Sequence, residues 1–173
     1  MRPHKDDEVF RILSLDTSLT KSGWAVLSVN NRKVTVEDYG LIKTNAKLTD
    51  GERLRQIVNG INDLLAKYDV ERVIPREEGI VRHNIATRQI FKAHGTTEYA
   101  LADYEIQDVN IQTVKAWARR VTGSPGKRQD KAMITEAVRI YFDNPQMKLN
   151  KEGDEADAMA VGIVYLKREG AIE

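Results

Sequence analysis

The order of the strand and helix signals constrains the fold of this 173-residue chain more than any other feature of its sequence. Three segments rich in β-forming residues come first, separated only by short turns: Phe10 to Asp16, Trp24 to Val29, and Lys33 to about Ile42. Helical and short apolar segments then alternate through the rest of the chain. Strands joined by tight turns pair antiparallel, whereas strands separated by a helix pair in parallel. The order therefore predicts an α/β fold built on a mixed five-stranded sheet, three antiparallel strands followed by two parallel ones, with helices on both faces.

The remaining segments are assigned from hydrophobic periodicity. Apolar residues recur at three- and four-residue spacing from Leu54 to Tyr68, as on the buried face of an amphipathic helix. Similar signals predict four further helices, over about Asn84 to Ala102, Thr113 to Arg120, Arg128 to Phe142, and Asp154 to about Lys167. Two short apolar runs, Val70 to Arg76 and Tyr104 to Ile111, complete the predicted strands. No repeat or linker interrupts the chain, so we expect one domain over residues 1–173, with residues 1–9 as a flexible extension.

Composition excludes several classes of protein. Apolar residues make up 41% of the chain and charged residues 31%, which is typical of a globular domain. No apolar stretch approaches the roughly 20 residues of a membrane span, and the first residues lack a signal-peptide core. The chain has no cysteine, which excludes disulfides and thiolate metal sites. We therefore expect a cytoplasmic protein that does not bind membranes.

Four carboxylates stand where this fold would bring strand ends and a helix start together: Asp16, Glu77, Asp154 and Asp157. Taken singly, Asp16 is an ordinary turn residue and Asp154 an ordinary helix N-cap, but Asp157 shares a helix face with Asp154. Like charges about 4 Å apart repel by several kcal/mol, so such a cluster requires a cation. Oxygen ligands without cysteine suit Mg²⁺ or Mn²⁺ better than zinc. Neighbouring strand residues point to opposite faces, so only one of Glu77 and Glu78 can join the site.

Two motifs resemble a known family. Residues 12–26 (Ile-Leu-Ser-Leu-Asp-Thr-Ser-Leu-Thr-Lys-Ser-Gly-Trp-Ala-Val) resemble the opening of RuvC-type Holliday junction resolvases, within the ribonuclease H-like superfamily. Residues 153–160 (Gly-Asp-Glu-Ala-Asp-Ala-Met-Ala) resemble the Asp-x-x-Asp-Ala helix that closes the family's sequences. Glu77 stands seven residues before Asn84, as does the strand-end glutamate of the family, and this spacing favours Glu77 over Glu78. The similarity covers nearly the whole chain.

The resemblance implies a ribonuclease H-like, metal-dependent endonuclease that resolves four-way junctions and other branched DNA as a homodimer. The four carboxylates would hold two Mg²⁺ ions per active site, with Mn²⁺ able to substitute, for phosphodiester hydrolysis that leaves a 5′-phosphate. Lys115 and Lys131 fall where the family keeps two lysines near the scissile phosphate, so Lys131 joins the predicted catalytic residues. The helix after Asn84 offers an apolar face for the dimer.

A local excess of basic residues predicts the DNA-binding surface. Between residues 115 and 131 there are six basic residues against one acid, in a chain of formal net charge +1: Lys115, Arg119, Arg120, Lys127, Arg128 and Lys131. Such a patch contacts phosphates and gives steep salt dependence. Arg82 adds basic charge after Glu77, and Ile80 stands near the position of an aromatic residue that bacterial family members insert at the junction. Isoleucine stacks poorly on bases, so we expect broad selectivity for branched DNA rather than a strict sequence preference.

Two departures from the family pattern bear on the source of the chain. One is Ile80 in place of the aromatic residue. The other is Thr17-Ser18, which follows the strand-end aspartate where the family usually has Pro-Gly. A compact resolvase with an altered turn and no aromatic wedge would suit a phage or a mobile element.

Three alternative functions share features of this sequence. A ribonuclease H-like enzyme that cuts RNA–DNA hybrids would use similar acids, although the lysines and the Asp-x-x-Asp helix favour the resolvase. A non-catalytic junction-binding protein would gain nothing from clustered acids near phosphate. Residues 16–23 also resemble the phosphate-binding hairpin of actin- and sugar-kinase-like ATPases, but those proteins need two such domains and 173 residues are too few.

Overall fold

A computed structural model describes residues 9–79, 85–124 and 130–173 of the chain. The strands in chain order are β1 (Phe10–Asp16), β2 (Lys21–Asn30), β3 (Lys33–Lys43), β4 (Val73–Glu77) and β5 (Glu105–Val109). The helices are α1 (Asp50–Lys67), α2 (Ile85–Ala100), α3 (Ile111–Thr122), α4 (Asp130–Tyr141) and α5 (Asp154–Arg168). The flexible extension predicted over residues 1–9 lies, apart from Val9, outside the described residues.

The five strands form one mixed sheet in the order β3-β2-β1-β4-β5. β1 and β3 both pair antiparallel with β2, whereas β4 runs parallel to β1 and to β5. This topology confirms the predicted sheet of three antiparallel and two parallel strands. Because β1 and β4 are parallel neighbours, with Leu15 beside Arg76, their final residues Asp16 and Glu77 come to the same edge of the sheet.

Side-chain hydrogen bonds explain where two elements begin. β2 begins at Lys21 rather than at Trp24, because the turn before it is closed by serines: the Ser18 amide donates to Ser22 Oγ at 3.1 Å, and Ser22 Oγ donates to the Ser18 carbonyl at 2.9 Å. α1 begins at Asp50, ahead of its first apolar residue, because Thr49 and Glu52 form a capping box. Neither start is marked by the apolar pattern.

Apolar side chains pack on both faces of the sheet, as predicted. On one face, residues such as Ile12 and Leu27 pack against α3, α4 and α5, and Trp117 of α3 lies in this core at 4% exposure. On the other face, residues such as Leu13 pack mainly against α1, with Trp24 of β2 half-buried beside them. Trp117 is therefore a core residue of this layer.

Helix α5 lies directly on the sheet. Its residues from Ala156 to Leu166 are all buried, and many of them are small. A Cβ on Gly162 would lie 2.6 Å from Leu27 Cδ1 and 2.8 Å from Ser14 Oγ, so only glycine permits this close approach. Helix α5 therefore packs closely against β1 and β2.

Among the described residues, no helix combines the length and the apolar character that crossing a membrane requires.

Candidate active site

Three carboxylates converge at the edge of the sheet where β1 and β4 end. Asp16 is the last residue of β1, Glu77 is the last residue of β4, and Asp157 lies in the first turn of α5. One oxygen from each of them lies within 4.8 Å of the other two. We refer to Asp16, Glu77 and Asp157 as the carboxylate cluster.

The neighbouring glutamate of β4 points elsewhere. Glu78 Oε2 accepts a hydrogen bond of 2.7 Å from the side-chain amide of Asn110, the N-cap residue of α3. Strand alternation explains the difference, because successive side chains lie on opposite sides of the sheet. Of the two glutamates considered from the sequence, the structure brings Glu77 into the cluster.

Burial is the largest cause of a raised pKa at every member of the cluster, and neighbouring carboxylates add to it. Burial, followed by the charges of Glu77 and Asp157, raises the pKa of Asp16 well above its usual value. Burial, followed by the charge of Asp157, raises the pKa of Glu77 to about 7. Burial raises the pKa of Asp157 to about 6. Each of these carboxylates is therefore harder to ionise than an ordinary carboxyl group until a cation compensates the charge.

The cluster fits a divalent metal ion. Asp157 is 5% exposed, and its Oδ1 has no hydrogen-bond partner among the described residues. A buried carboxylate oxygen without a donor is costly unless a cation occupies its lone pairs. The three residues offer only oxygen donors, which is the chemistry that Mg²⁺ and Mn²⁺ prefer.

Asp154 lies beside the cluster rather than within it. Its Oδ2 accepts a hydrogen bond of 2.8 Å from Asn150 Nδ2, and its Oδ1 is 3.7 Å from Lys131 Nζ. Asp154 is the first residue of α5 and does not cap it; Gly153, at a φ of 84°, is the N-cap residue. Of the four carboxylates predicted together, the structure thus gathers three and holds the fourth next to them.

Asn150 is a contact of this site that sequence reasoning missed. Asn150 lies before α5, and its Oδ1 accepts a hydrogen bond from the backbone amide of Glu155 at 3.2 Å. The backbone amide of Asn150 donates to Glu155 Oε2 at 2.7 Å. A capping box has the reciprocal pair three residues apart, whereas Asn150 and Glu155 are five apart. The available sequence signal was therefore only a polar residue ahead of a helix.

Two lysines bring positive charge to the carboxylates. Lys131 Nζ donates to the Glu152 carbonyl at 2.8 Å and lies 4.0 Å from Asp157 Oδ2. Burial has the largest effect on the pKa of Glu77 and raises it, while the charges of Lys131 and Lys115 lower it. Both predicted lysines therefore lie close enough to act on the cluster electrostatically.

The other predicted DNA-binding residues divide into two groups. Arg119 and Arg120 lie in the last turn of α3, with Arg120 exposed and Arg119 half-buried. The remaining four lie outside the described residues: Ile80, Arg82, Lys127 and Arg128.

Helix α2 carries an exposed apolar stripe. Phe91 is 48% exposed and Tyr99 is 78% exposed, and the exposed Gly95 lies between them at four-residue spacing. Residues four apart share a helix face, so the three form one continuous surface. The composition of this stripe distinguishes it from the charged surfaces around it.

Comparisons with known proteins agree on one family. The family model described as "Crossover junction endodeoxyribonuclease RuvC" matches residues 12–165. A curated relative of that name from Prochlorococcus marinus subsp. pastoris is 27% identical over 162 residues, which cover 92% of this chain and 98% of the relative. Another from Clostridioides difficile is 28% identical over 160 residues, covering 89% of this chain and 88% of the relative.

Solved structures show a similar fold. The structure described as Thermus thermophilus RuvC in complex with a Holliday junction substrate superposes with a TM-score of 0.75 at 18% identity, over 94% of this chain and 97% of that one. The fowlpox virus Holliday junction resolvase superposes with a TM-score of 0.57 at 13% identity, over 94% of this chain and 99% of that one.

Proposed function

The chain belongs to the RuvC family of crossover junction endodeoxyribonucleases, and we propose that its catalytic carboxylates are Asp16, Glu77, Asp154 and Asp157. Family membership makes the protein a Holliday junction-resolving endonuclease, a DNA-binding hydrolase of recombination and repair. The matched relatives thus favour the resolvase over a hybrid-cutting ribonuclease H and over a non-catalytic junction-binding protein. The single observation that carries the site proposal is the convergence of the carboxylate cluster within 4.8 Å.

The family depends on divalent metal, and for this chain we propose two Mg²⁺ ions per active site, with Mn²⁺ able to substitute. The all-oxygen donor set and the unpartnered Oδ1 of Asp157 support this assignment. Ions bound there would activate a water molecule for attack on the phosphodiester and stabilise the departing 3′ oxygen, which leaves a 5′-phosphate. Carboxylates suffice as ligands for this chemistry, so no protein nucleophile is required.

Lys131 is proposed as the basic catalytic residue. Its ammonium group lies 3.7 Å from Asp154 and 4.0 Å from Asp157, and 62% of its side chain is exposed. A cation in that position can contact the scissile phosphate while it offsets the repulsion between the two carboxylates. Lys115 would assist from α3, because its charge also acts on Glu77 and Asp157.

The proposed DNA surface runs from α3 to the start of α4. Its basic residues would contact the phosphate backbone of branched DNA, chiefly four-way junctions: Lys115, Arg119, Arg120, Lys127, Arg128 and Lys131. Arg82 and Ile80, which follow β4 in sequence, would contact the DNA from the Glu77 side. Phosphate contacts position the substrate without reading its sequence, which supports selectivity for DNA shape.

We further propose that the protein acts as a homodimer through α2. The exposed Phe91–Gly95–Tyr99 stripe supports this surface, because glycine lets two helix backbones approach while the flanking aromatic rings pack against the partner. A two-fold dimer would present one active site to each of two strands of a four-way junction. The compartment that we propose is the cytoplasm, where the DNA substrate is found.

The test is cleavage of an end-labelled four-way junction beside a linear duplex of matched sequence, with Mg²⁺ or EDTA. We expect nicking of the junction alone, only with metal, and loss of nicking but not of binding in Asp16→Asn. Asp63→Asn makes the same chemical change on the exposed face of α1 and should keep full activity. A junction that is bound but stays intact with Mg²⁺ and with Mn²⁺ would contradict the catalytic role of the carboxylates.

A further inference from the structure

Asn150 makes a direct hydrogen bond to one of the proposed metal ligands. Its Nδ2 donates to Asp154 Oδ2 at 2.8 Å, and also approaches Glu152 Oε2 at 3.3 Å. Asn150 lies in the loop before α5, and it carries no charge that could bind DNA phosphate or metal strongly. Its contact with Asp154 therefore points to a role that acts through that carboxylate.

The orientation of the Asn150 amide is determined by its other partner. The backbone N–H of Glu155 can only donate, and it lies 3.2 Å from Asn150 Oδ1. The amide oxygen must therefore face Glu155, so the NH₂ group must face Asp154. The backbone amide of Asn150 donates in turn to Glu155 Oε2 at 2.7 Å, which holds the residue from its other side.

The two oxygens of the Asp154 carboxylate have different partners. Asn150 occupies Oδ2, whereas Oδ1 lies 3.7 Å from Lys131 Nζ. The same ammonium group is 4.0 Å from Asp157 Oδ2, so Lys131 connects Asp154 Oδ1 to the carboxylate cluster. The Asp154 side chain is only 15% exposed, so few other orientations are open to its carboxylate while the Asn150 bond is in place.

We propose that Asn150 is a positioning residue that orients the Asp154 carboxylate toward the metal site. The proposal rests on the proposed function, in which Asp154 is a metal ligand. Groups that hydrogen-bond to metal ligands fix the ligand's rotamer, and their loss typically lowers metal affinity 10- to 100-fold. For the loss of one neutral hydrogen bond we expect an effect at the lower end of this range, about tenfold. Asn150 contacts neither metal nor DNA in this role.

The test is Mn²⁺ binding to the metal-free full-length protein without DNA, measured from the electron paramagnetic resonance signal of free Mn²⁺. The proteins compared are wild type, Asn150→Ala, Asp154→Asn and the double variant. We expect Asn150→Ala to weaken Mn²⁺ binding about tenfold. We expect the double variant to bind like Asp154→Asn alone, since an effect transmitted only through Asp154 vanishes with that carboxylate.

A control separates orientation from loop stability, because Asn150→Ala also removes the acceptor for the Glu155 amide. Gly153→Ala strains the same loop, where φ is 84°, without changing any charge or removing a side-chain group of Asn150 or Asp154. We expect Gly153→Ala to lower the thermal midpoint while Mn²⁺ affinity stays within about twofold of wild type. If both variants weaken Mn²⁺ binding equally at equal loss of stability, the positioning role is wrong.

The remaining outcomes distinguish this proposal from the proposed function. Unchanged Mn²⁺ binding in Asp154→Asn, or no binding in wild type, would overturn Asp154 as a ligand and the role of Asn150 with it. Weaker binding in Asp154→Asn but not in Asn150→Ala would overturn the role of Asn150 alone. A double variant that loses affinity by the product of the two single effects would show that Asn150 acts elsewhere.

Discussion

Gly23 on β2 and Asp154 at the start of α5 lie closer together than any side chain at position 23 would permit. A Cβ on Gly23 would be 2.0 Å from the Asp154 carbonyl oxygen and 2.5 Å from its carbonyl carbon. Both clashes involve backbone atoms, so no change of rotamer can relieve them. Gly23 is also the register partner of Asp16, so one glycine lets the β1 and α5 parts of the site approach each other.

Replacing Gly23 with alanine should therefore displace the N-terminus of α5. We expect a loss of about 3 kcal/mol in the free energy of unfolding, the upper end of overpacking costs, together with loss of junction cleavage. Urea denaturation followed by circular dichroism measures the first and the junction assay the second. Gly51→Ala is the matched control, because a Cβ at Gly51 meets nothing within 4 Å. Wild-type stability of Gly23→Ala would contradict the close approach.

The raised pKa values predict how pH affects the metal-free protein. The pKa of Glu77 is about 7 and that of Asp157 about 6 in the folded state, whereas unfolded carboxyl groups titrate near 4. The folded protein binds more protons between these values, so these two groups make stability fall as pH rises from about 4 to 7. Thermal midpoints in EDTA should show this fall, and Glu77→Gln should make it shallower.

Added Mg²⁺ should counteract this fall in stability at high pH. Ionised carboxylates bind the ion and protonated ones do not, so the rise in thermal midpoint with Mg²⁺ should be larger at pH 8 than at pH 5. Equal shifts at the two pH values would indicate that Mg²⁺ binds elsewhere.

Arg76 links β4 to its neighbours on the face opposite Glu77. Its guanidinium, 4% exposed, lies 2.9 Å from Asp108 Oδ1 on β5 and 3.2 Å from Glu98 Oε1 on α2. Replacing both acids by their amides leaves this buried cation with neutral acceptors only, among them the His94 carbonyl at 3.4 Å, so we expect a loss of about 3 kcal/mol in urea denaturation. Glu37→Gln, which removes the exposed partner of Arg11, should leave the urea midpoint nearly unchanged. An equal loss of stability in the double amide variant and in Glu37→Gln would argue against a structural role of the Arg76 contacts.

The basic residues of α3 should determine the salt dependence of junction binding. If Arg120 contacts one phosphate, Arg120→Ala should reduce the slope of log affinity against log salt by about 1. Fluorescence anisotropy with a labelled junction between about 50 and 200 mM salt measures this slope. Lys33→Ala is the control, because Lys33 lies at the end of β3 remote from Asp16. A similar change of slope in both variants would place the DNA surface elsewhere.

The exposed stripe of α2 predicts the oligomeric state. We expect the wild-type chain to sediment as a dimer and Tyr99→Glu to sediment as a folded monomer, because burying an unpaired charge in an interface is unfavourable. Glu136→Gln, on α4, should remain dimeric. A Tyr99→Glu protein that stays dimeric would exclude α2 as the interface.

Much of the fold was predictable because local patterns and tertiary structure agree. β1 has the predicted bounds, and the order of hairpin strands before alternating helices was sufficient for the sheet topology. Asp16 and Glu77 could be assigned to one edge because both end parallel neighbouring strands. These inferences needed only periodicity and chain direction.

The rest depended on contacts between segments distant in sequence. The hydrogen bond from Asn150 to Asp154 arises only once the loop before α5 has folded, and no hydrophobic pattern marks it. Likewise, nothing local to Gly23 reveals that the Asp154 backbone packs against it. The sequence predicted one set of four carboxylates, whereas the structure has a cluster of three with Asp154 beside it.

The placement of the two tryptophans gives the molecule two separate optical reporters. Trp117 lies in the core beneath α3, α4 and α5, and Trp24 lies on the opposite side of the sheet beside α1. With Trp24→Phe, emission would report only on the layer that carries the Asp157 helix; with Trp117→Phe, only on the layer behind it. Stopped-flow refolding of these single-tryptophan proteins, excited where tyrosine absorbs little, would therefore reveal whether the side of the sheet that carries the active site folds before the opposite side or together with it.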